Sequence, residues 1–142
     1  MLRQHLFPYQ GYISAALILG GVDIRGPQLH MIHPHGSGDQ LPYATMGSGS
    51  MAAMAVLETN FHTGMTTEEG ANLARDAVRA GILNDMGSGG YIDVVVITAQ
   101  GVTVKRNIEK PAGTERAFRK PGGYVFPRGT TMVVSKEVTP II

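Results

Sequence analysis

The sequence predicts an α+β fold, on three observations. Two helix-like segments follow one another in the middle of the chain, strand-like apolar runs stand on both sides of them, and Ala99-Gln100-Gly101 joins two of those runs as a hairpin.

Taken in order, Met1 to Phe7 reads as a short helix broken by Pro8, which lacks the N–H that a helix interior needs. Tyr12 to Gly20 reads as a strand whose Ala, Ile and Leu run suggests burial on both faces. Gly26-Pro27 should turn the chain into a second strand, Gln28 to His33. A short apolar strand, Leu41 to Met46, then opens through Gly47-Ser48-Gly49-Ser50 onto Met51-Ala52-Ala53-Met54-Ala55-Val56-Leu57, a segment of good helix formers. The second helix has a marked start. Thr66 or Thr67 can cap it, Glu68 and Glu69 lie in its first turn where the helix dipole favours acids, and Ala71, Ala74, Val78 and Ile82 recur at helical spacing. Asn84 to Gly90 is a second Gly/Ser turn, followed by strands Tyr91 to Thr98 and Val102 to Asn107. Residues 108–128 form a basic, Pro/Gly-rich connection with Lys110, Arg116, Arg119, Lys120 and Arg128, expected to be a solvated or contact-making loop. Gly129-Thr130-Thr131 is expected to turn into a last strand-like run, Thr131 to Ser135. There is no internal repeat and no sign of a second domain.

The two Gly/Ser turns hold the chemistry. Glycine lets a backbone come close to whatever lies there, and the unpaired N–H groups of a first helical turn attract negative charge. For the first turn, a simple helix cap by Ser48 or Ser50 is the alternative. In the second turn, Asp85 sits at a helix exit, where the dipole disfavours a carboxylate, so it needs local donors; Ser88 and the glycine N–H groups are the obvious ones. The alternative there is a glycine C-cap with a solvated Asp.

Composition bounds the rest. The chain has 142 residues, 43% of them apolar, enough for the core of one domain. A formal net charge of +1 gives no nucleic-acid footprint. No apolar run is long enough to span a bilayer, because Gly20, Gly21 and Asp23 end the Ala15 to Leu19 stretch, and no secretory leader is evident; a soluble intracellular protein is expected. Cysteine is absent, which excludes thiol catalysis, disulfides and thiolate metal sites. His33-Pro34-His35 could suggest a metal, but the proline breaks regular spacing and only Asp39 stands nearby as a further ligand, so no metal and no cofactor are expected.

The order of strand, Gly-Ser-Gly-Ser, two helices, Asp-Met-Gly-Ser-Gly-Gly and strand resembles the C-terminal portion of a proteasome β-type subunit. The likeness is nearest to the trypsin-like class, and rests on Met1-Leu2-Arg3-Gln4, Tyr9-Gln10-Gly11-Tyr12-Ile13, Leu19-Gly20-Gly21-Val22-Asp23, Pro34-His35-Gly36-Ser37, Leu41-Pro42-Tyr43, Met46-Gly47-Ser48-Gly49-Ser50 and Gly129-Thr130-Thr131. It extends along nearly the whole chain.

This resemblance implies an N-terminal nucleophile hydrolase: a four-layer αββα sandwich in which a threonine, freed by propeptide cleavage, attacks the peptide carbonyl while its α-amino group or an adjacent water takes the proton. Here the chain opens on Met1, so the threonine, the family's nearby Asp and Lys, the oxyanion-hole glycine, the first strands and the first helix are all expected to belong to an N-terminal half outside this sequence. By resemblance, Asp85, Ser88 and Ser48 match the residues that hydrogen-bond around the threonine's amine and hydroxyl. His33, His35 and Ser37 match a loop that reaches the neighbouring subunit and helps wall its specificity pocket, where imidazoles would favour acidic or small side chains. The family more often has an aromatic hydroxyl at the position of His33, and a plain surface turn is the alternative. Gly129-Thr130 looks like a maturation junction, but the tail beyond it is too short to build a domain around a new N-terminus.

Two functions are therefore expected to compete. One is a part of a threonine-type endopeptidase subunit of the 20S core, cleaving after basic residues within stacked seven-membered rings of α and β subunits, acting on polypeptides in cytoplasm and nucleus, with no nucleic acid or membrane partner. The other is a non-catalytic structural subunit of the ring. A free-standing phosphate-binding enzyme fails for want of a Gly-Lys-Ser/Thr motif. With half the sandwich outside the sequence, this segment is expected to be unstable or to aggregate when made alone.

Overall fold

A computed structural model of the protein describes residues 1–111, 123, 127, 129–130 and 132–139. Its elements run helix α1 (Leu2–Leu6), strands β1 (Leu17–Asp23), β2 (Gly26–Ile32) and β3 (Gly38–Gln40), helices α2 (Ser50–Asn60) and α3 (Thr67–Asn84), then strands β4 (Ile92–Thr98) and β5 (Gly101–Glu109). The mixture of helix and sheet is the α+β content expected.

Helix α1 ends in a 3-10 turn, Phe7–Tyr9, with Pro8 in it. The expected strand from Tyr12 is displaced. Gln10, Gly11 and Ser14 all take positive φ, and the bonds Tyr12 N–H to Tyr9 C=O and Ser14 N–H to Gly11 C=O wind the segment into consecutive turns. Pairing begins only at Leu17, and Ile18 and Leu19 are exposed rather than buried on both faces. The β1–β2 turn is Ile24-Arg25, since Asp23 pairs with Gly26 and Pro27 already lies in the ladder opposite Val22. Asp23 closes the turn by accepting from the Arg25 backbone N–H at 2.8 Å. Strand β3 pairs with β2 over three residues, giving a three-stranded antiparallel sheet in the order β1-β2-β3.

Leu41 to Met46 is not a strand. One further bond, Leu41 N–H to Leu29 C=O, prolongs the β2 contact, and Pro42, without an N–H, ends it. Tyr43 instead leaves the sheet and packs on Phe61, ring centroids 4.8 Å apart. Both residues lie against the core formed by Leu57 of α2 with Leu73 and Ala77 of α3.

Helix α3 carries a full capping box: the Thr66 hydroxyl accepts from Glu69 N–H at 3.2 Å while the Glu69 carboxylate accepts from Thr66 N–H at 2.7 Å. Its buried line is Leu73, Ala77 and Gly81, one residue away from the Ala74, Val78 and Ile82 stripe; Ala74 and Val78 are exposed. The small residues Ala77 and Gly81 face α2 because they let the two backbones approach.

Strands β4 and β5 form a two-stranded hairpin turning at Ala99-Gln100, with Thr98 paired to Gly101. Ile92 and Val94 are buried, and α3 lies on this strand. On the other face Val95 pairs with Val104 and Ile97 with Val102, and all four are exposed. β5 continues to Glu109, so residues 108 and 109 belong to the strand rather than to the basic connection. Of that connection, 112–122, 124–126 and 128 lie outside the described residues, as does Thr131. Thr130 N–H reaches the Pro127 carbonyl at 3.1 Å, and the described residues 132–139 form no strand. Among the described residues no helix is long and apolar enough to cross a membrane.

Candidate functional site

The packing of α2 against α3 brings the two Gly/Ser turns together. Asp85 closes α3 in an extended conformation, its N–H still bonded to the Gly81 carbonyl at 2.9 Å. From there its carboxylate turns back over the helix end. Oδ2 accepts from the Ser48 hydroxyl and from the Ser88 hydroxyl, each at 2.5 Å, and Oδ1 accepts from the Gly87 N–H at 3.1 Å. Distances of this size to a hydroxyl are those of charge-assisted bonds.

These donors answer the dipole conflict at the helix exit. The Ser48 hydroxyl, then the Ser88 hydroxyl and the Gly87 N–H, hold the Asp85 carboxyl below its ordinary value of 3.8, against a smaller opposing effect of burial. A half-buried anion is thus fixed in place beside two oriented hydroxyls. Next to it opens a shallow hollow of about 220 Å³, bordered by Ser48, Ser50 and Ser88 with Val78 and Ile82.

Neither serine of the first turn caps α2. Gly49 is the N-cap, no side chain supplies a capping bond, and Ser50 is already the first helical residue. Ser48 is turned away from its own helix to the other one. Asp85 is not simply solvated either, so both bland alternatives for these turns give way to a cross-helix contact.

His33, His35 and Ser37 occupy the β2–β3 turn, apart from the Asp85 group, and no described hydrogen bond connects the two places. The turn is closed by His33 N–H to Ser37 C=O and Gly36 N–H to His33 C=O, both 2.9 Å. Gly36 at its centre is buried with φ +89°, and a Cβ there would stand 2.9 Å from the Arg3 carbonyl oxygen and the Phe7 nitrogen. Arg3 Nε donates to the Gly36 carbonyl at 3.3 Å, so α1 grips the turn from beneath. His35 and Ser37 face solvent while His33 is half-buried, and the His35 ring lies over Gly11. Among the described residues no three His, Cys, Asp or Glu side chains are grouped to hold a metal ion.

Not foreseen in the sequence is the close approach of the two helix ends, the backbone of Gly49 against that of Gly81. Its one signal was a glycine inside a helix, costly there unless packing requires it.

The sequence that builds this α+β chain and its two Gly/Ser turns matches one family. The sequence model described as "Proteasome subunit" matches residues 1–97, and the chain belongs to that family. Several curated relatives carry β-type names. It is 57% identical over 141 residues to "Proteasome subunit beta type-7" of Dictyostelium discoideum, covering 99% of this chain and 52% of that protein. It is 49% identical over 142 residues to "Proteasome subunit beta type-7-B" of Arabidopsis thaliana, covering 100% of this chain and 51% of that one, and 49% identical over 141 residues to "Proteasome subunit beta type-10" of Bos taurus, covering 99% and 50%. The chain therefore spans about half the length of the curated relatives it matches.

Proposed function

We propose that this chain builds the supporting half of a threonine-type endopeptidase site in a β subunit of the 20S proteasome core, and that the complete subunit hydrolyses peptide bonds after basic residues. The observation that carries this reading is the Asp85 carboxylate fixed by Ser48, Ser88 and the Gly87 N–H at the lip of an open hollow. A threonine that attacks through its hydroxyl and passes the proton to its own amine needs an anion and oriented hydroxyls beside that amine. Asp85 supplies the anion. Ser48 and Ser88 each keep oxygen lone pairs able to accept from the amine while their protons are committed to Asp85. Polypeptide substrates reach such a site inside the ring chamber, and the chemistry uses no cofactor.

The wider reading follows from the uncovered surfaces. Val95, Ile97, Val102 and Val104 on the hairpin and Ala74 and Val78 on α3 are apolar and exposed, as they would be if further strands of a four-layer αββα sandwich cover them in the complete subunit. The His33 to Ser37 turn, rigidly backed by Arg3 and presenting His35 and Ser37 outward, suits a wall of the neighbouring subunit's specificity pocket. Assembly with other α and β subunits in stacked rings, in cytoplasm and nucleus, completes the proposal.

The test is intact mass with N-terminal peptide mapping on the polypeptide recovered from native proteasome-sized particles. A longer chain beginning with threonine is the expected result. A chain that begins at Met1 within the particle would overturn the catalytic reading and leave a structural subunit.

A further inference from the structure

We infer that Gly49 and Gly81 are positioning residues: their backbone-to-backbone contact sets the reach of Ser48 to Asp85. This rests on the supporting role proposed for that pair.

Each glycine is joined to one partner, Gly49 by the chain and Gly81 by a backbone hydrogen bond. Gly49 follows Ser48 directly, and its carbonyl accepts the first intrahelical bond of α2, from Ala53 N–H at 3.2 Å. Gly81 is buried in the last turn of α3, and its carbonyl accepts the N–H of Asp85. The two therefore tie the start of one helix to the end of the other immediately behind the carboxylate.

Conformation does not explain either glycine. Gly49 has φ −88°, which any residue adopts, and Gly81 is helical, where glycine is a poor choice. Gly47 is the contrast: its φ of +117° favours glycine, yet a Cβ there would meet nothing within 4 Å. Space is what Gly49 and Gly81 share. A Cβ on Gly49 would stand 3.1 Å from Gly81 Cα and 3.3 Å from its carbonyl carbon and oxygen, all backbone atoms that yield only if the helices separate. A Cβ on Gly81 would stand 3.4 Å from the Gly49 carbonyl oxygen, an ordinary contact, so trouble there begins with a branched side chain. The Leu57, Leu73 and Ala77 core packs the two helices and the Thr45 hydroxyl bonds the Ser50 carbonyl at the α2 start, but the glycine contact is the part of that packing next to Ser48 and so sets its reach.

The experiment uses the complete subunit assembled in its particle and a fluorogenic peptide with arginine before the scissile bond. Gly81→Ala, Gly49→Ala and Gly81→Val should lower kcat in that order, up to about tenfold, a loss of the size one weakened transition-state contact produces, with KM changed by less than about twofold. In a Ser48→Ala background the same substitutions should have little further effect, because the contact acts through Ser48. Equal losses in both backgrounds, or wild-type kcat in assembled Gly81→Val particles, would overturn the inference. If Gly81→Val does not assemble, Gly49→Ala gives the same comparison. Asp85→Ala keeps the two readings apart: full activity in that variant rejects the supporting site itself, whereas an inactive Asp85→Ala beside unaffected glycine variants rejects only the positioning role.

Discussion

Ser48 and Asp85 are 37 residues apart in the chain, yet the hydroxyl of one lies 2.5 Å from a carboxylate oxygen of the other. Ser88 contacts the same oxygen at the same distance, so a single Oδ2 serves two hydroxyls from two turns. With both hydroxyls donating to Oδ2, the arrangement favours the ionised form of Asp85.

The pH dependence has a definite sign. Asp85 is depressed by its donors, so the stabilisation they provide is complete above its ordinary value of 3.8 and is lost as pH falls below that through the lowered one. Ser48→Ala removes the largest depressing cause, and the acid-inactivation midpoint of the assembled subunit should move upward. Ser88→Ala should move it in the same direction by less. Activity against an arginine peptide after timed acid exposure measures both, and unmoved midpoints would show that Asp85 does not control the acid limb.

Asp85→Ala in the complete subunit should reduce cleavage after basic residues by about 100-fold or more, the size of loss typical when one oriented polar group is removed from a reacting centre. Self-maturation should fail with it, which intact mass detects as a retained leader. Asp85→Asn keeps the shape but removes the charge and turns one of the two acceptor atoms into a donor, and should recover little of either. Normal cleavage and maturation in Asp85→Ala would remove the site from this place.

Part of this was legible in the residues alone. A carboxylate at a helix exit with Gly and Ser beside it announces its own need for donors, and Thr66 followed three residues later by Glu69 announces a helix start. Those are local signals, and the local geometry follows them. Leu41 to Met46 looked like a strand because apolar content outweighed Pro42, whose missing N–H decides the matter. β1 begins later than its apolar run because Gln10, Gly11 and Ser14 bend the chain through positive φ, a choice that only Gly11 signals strongly. On α3 the spacing of Ala71, Ala74, Val78 and Ile82 marked one face, whereas the buried line is Leu73 with the small Ala77 and Gly81, which let the backbones approach. Family resemblance grouped Ser48 with Asp85 and Ser88, but its bond to Asp85 was not foreseen, since nothing local reports a contact across 37 residues.

The capping box at Thr66 makes a local prediction. Thr66→Ala removes the hydroxyl that accepts from Glu69 N–H, and should cost about 1 kcal/mol of helix-end stability. Hydrogen exchange at the first-turn amides of α3 should then speed up by about fivefold, the factor that this energy sets on local opening. Unchanged exchange would mean that Glu69 and the helix dipole hold the turn without the threonine.

Gly36 makes a stronger one. Its φ of +89° costs an ordinary residue roughly 1–2 kcal/mol, and a Cβ would also press on the Arg3 carbonyl and the Phe7 nitrogen. Gly36→Ala should therefore lift the β2–β3 turn from α1 and break the Arg3 bond. Limited proteolysis between His33 and Ser37 should become markedly faster. Wild-type resistance would show that α1 is not what fixes the turn that presents His35 and Ser37.

The exposed hairpin face offers a test of the proposed covering layer. Val95 opposite Val104 and Ile97 opposite Val102 form an apolar surface that water cannot stabilise, and strand edges beside it invite association. Residues 1–142 made alone should aggregate, and a soluble, cooperatively melting monomer would contradict that. The pair Val95→Lys and Val104→Lys places two like charges across the ladder on this face. It should raise the soluble fraction of the isolated segment by interrupting the apolar surface. In the complete subunit the same pair would have to be buried under the proposed covering layer, where unpaired ammonium groups are costly, and incorporation into particles should fail. Normal incorporation would show that this face stays open to solvent and that no second sheet covers it.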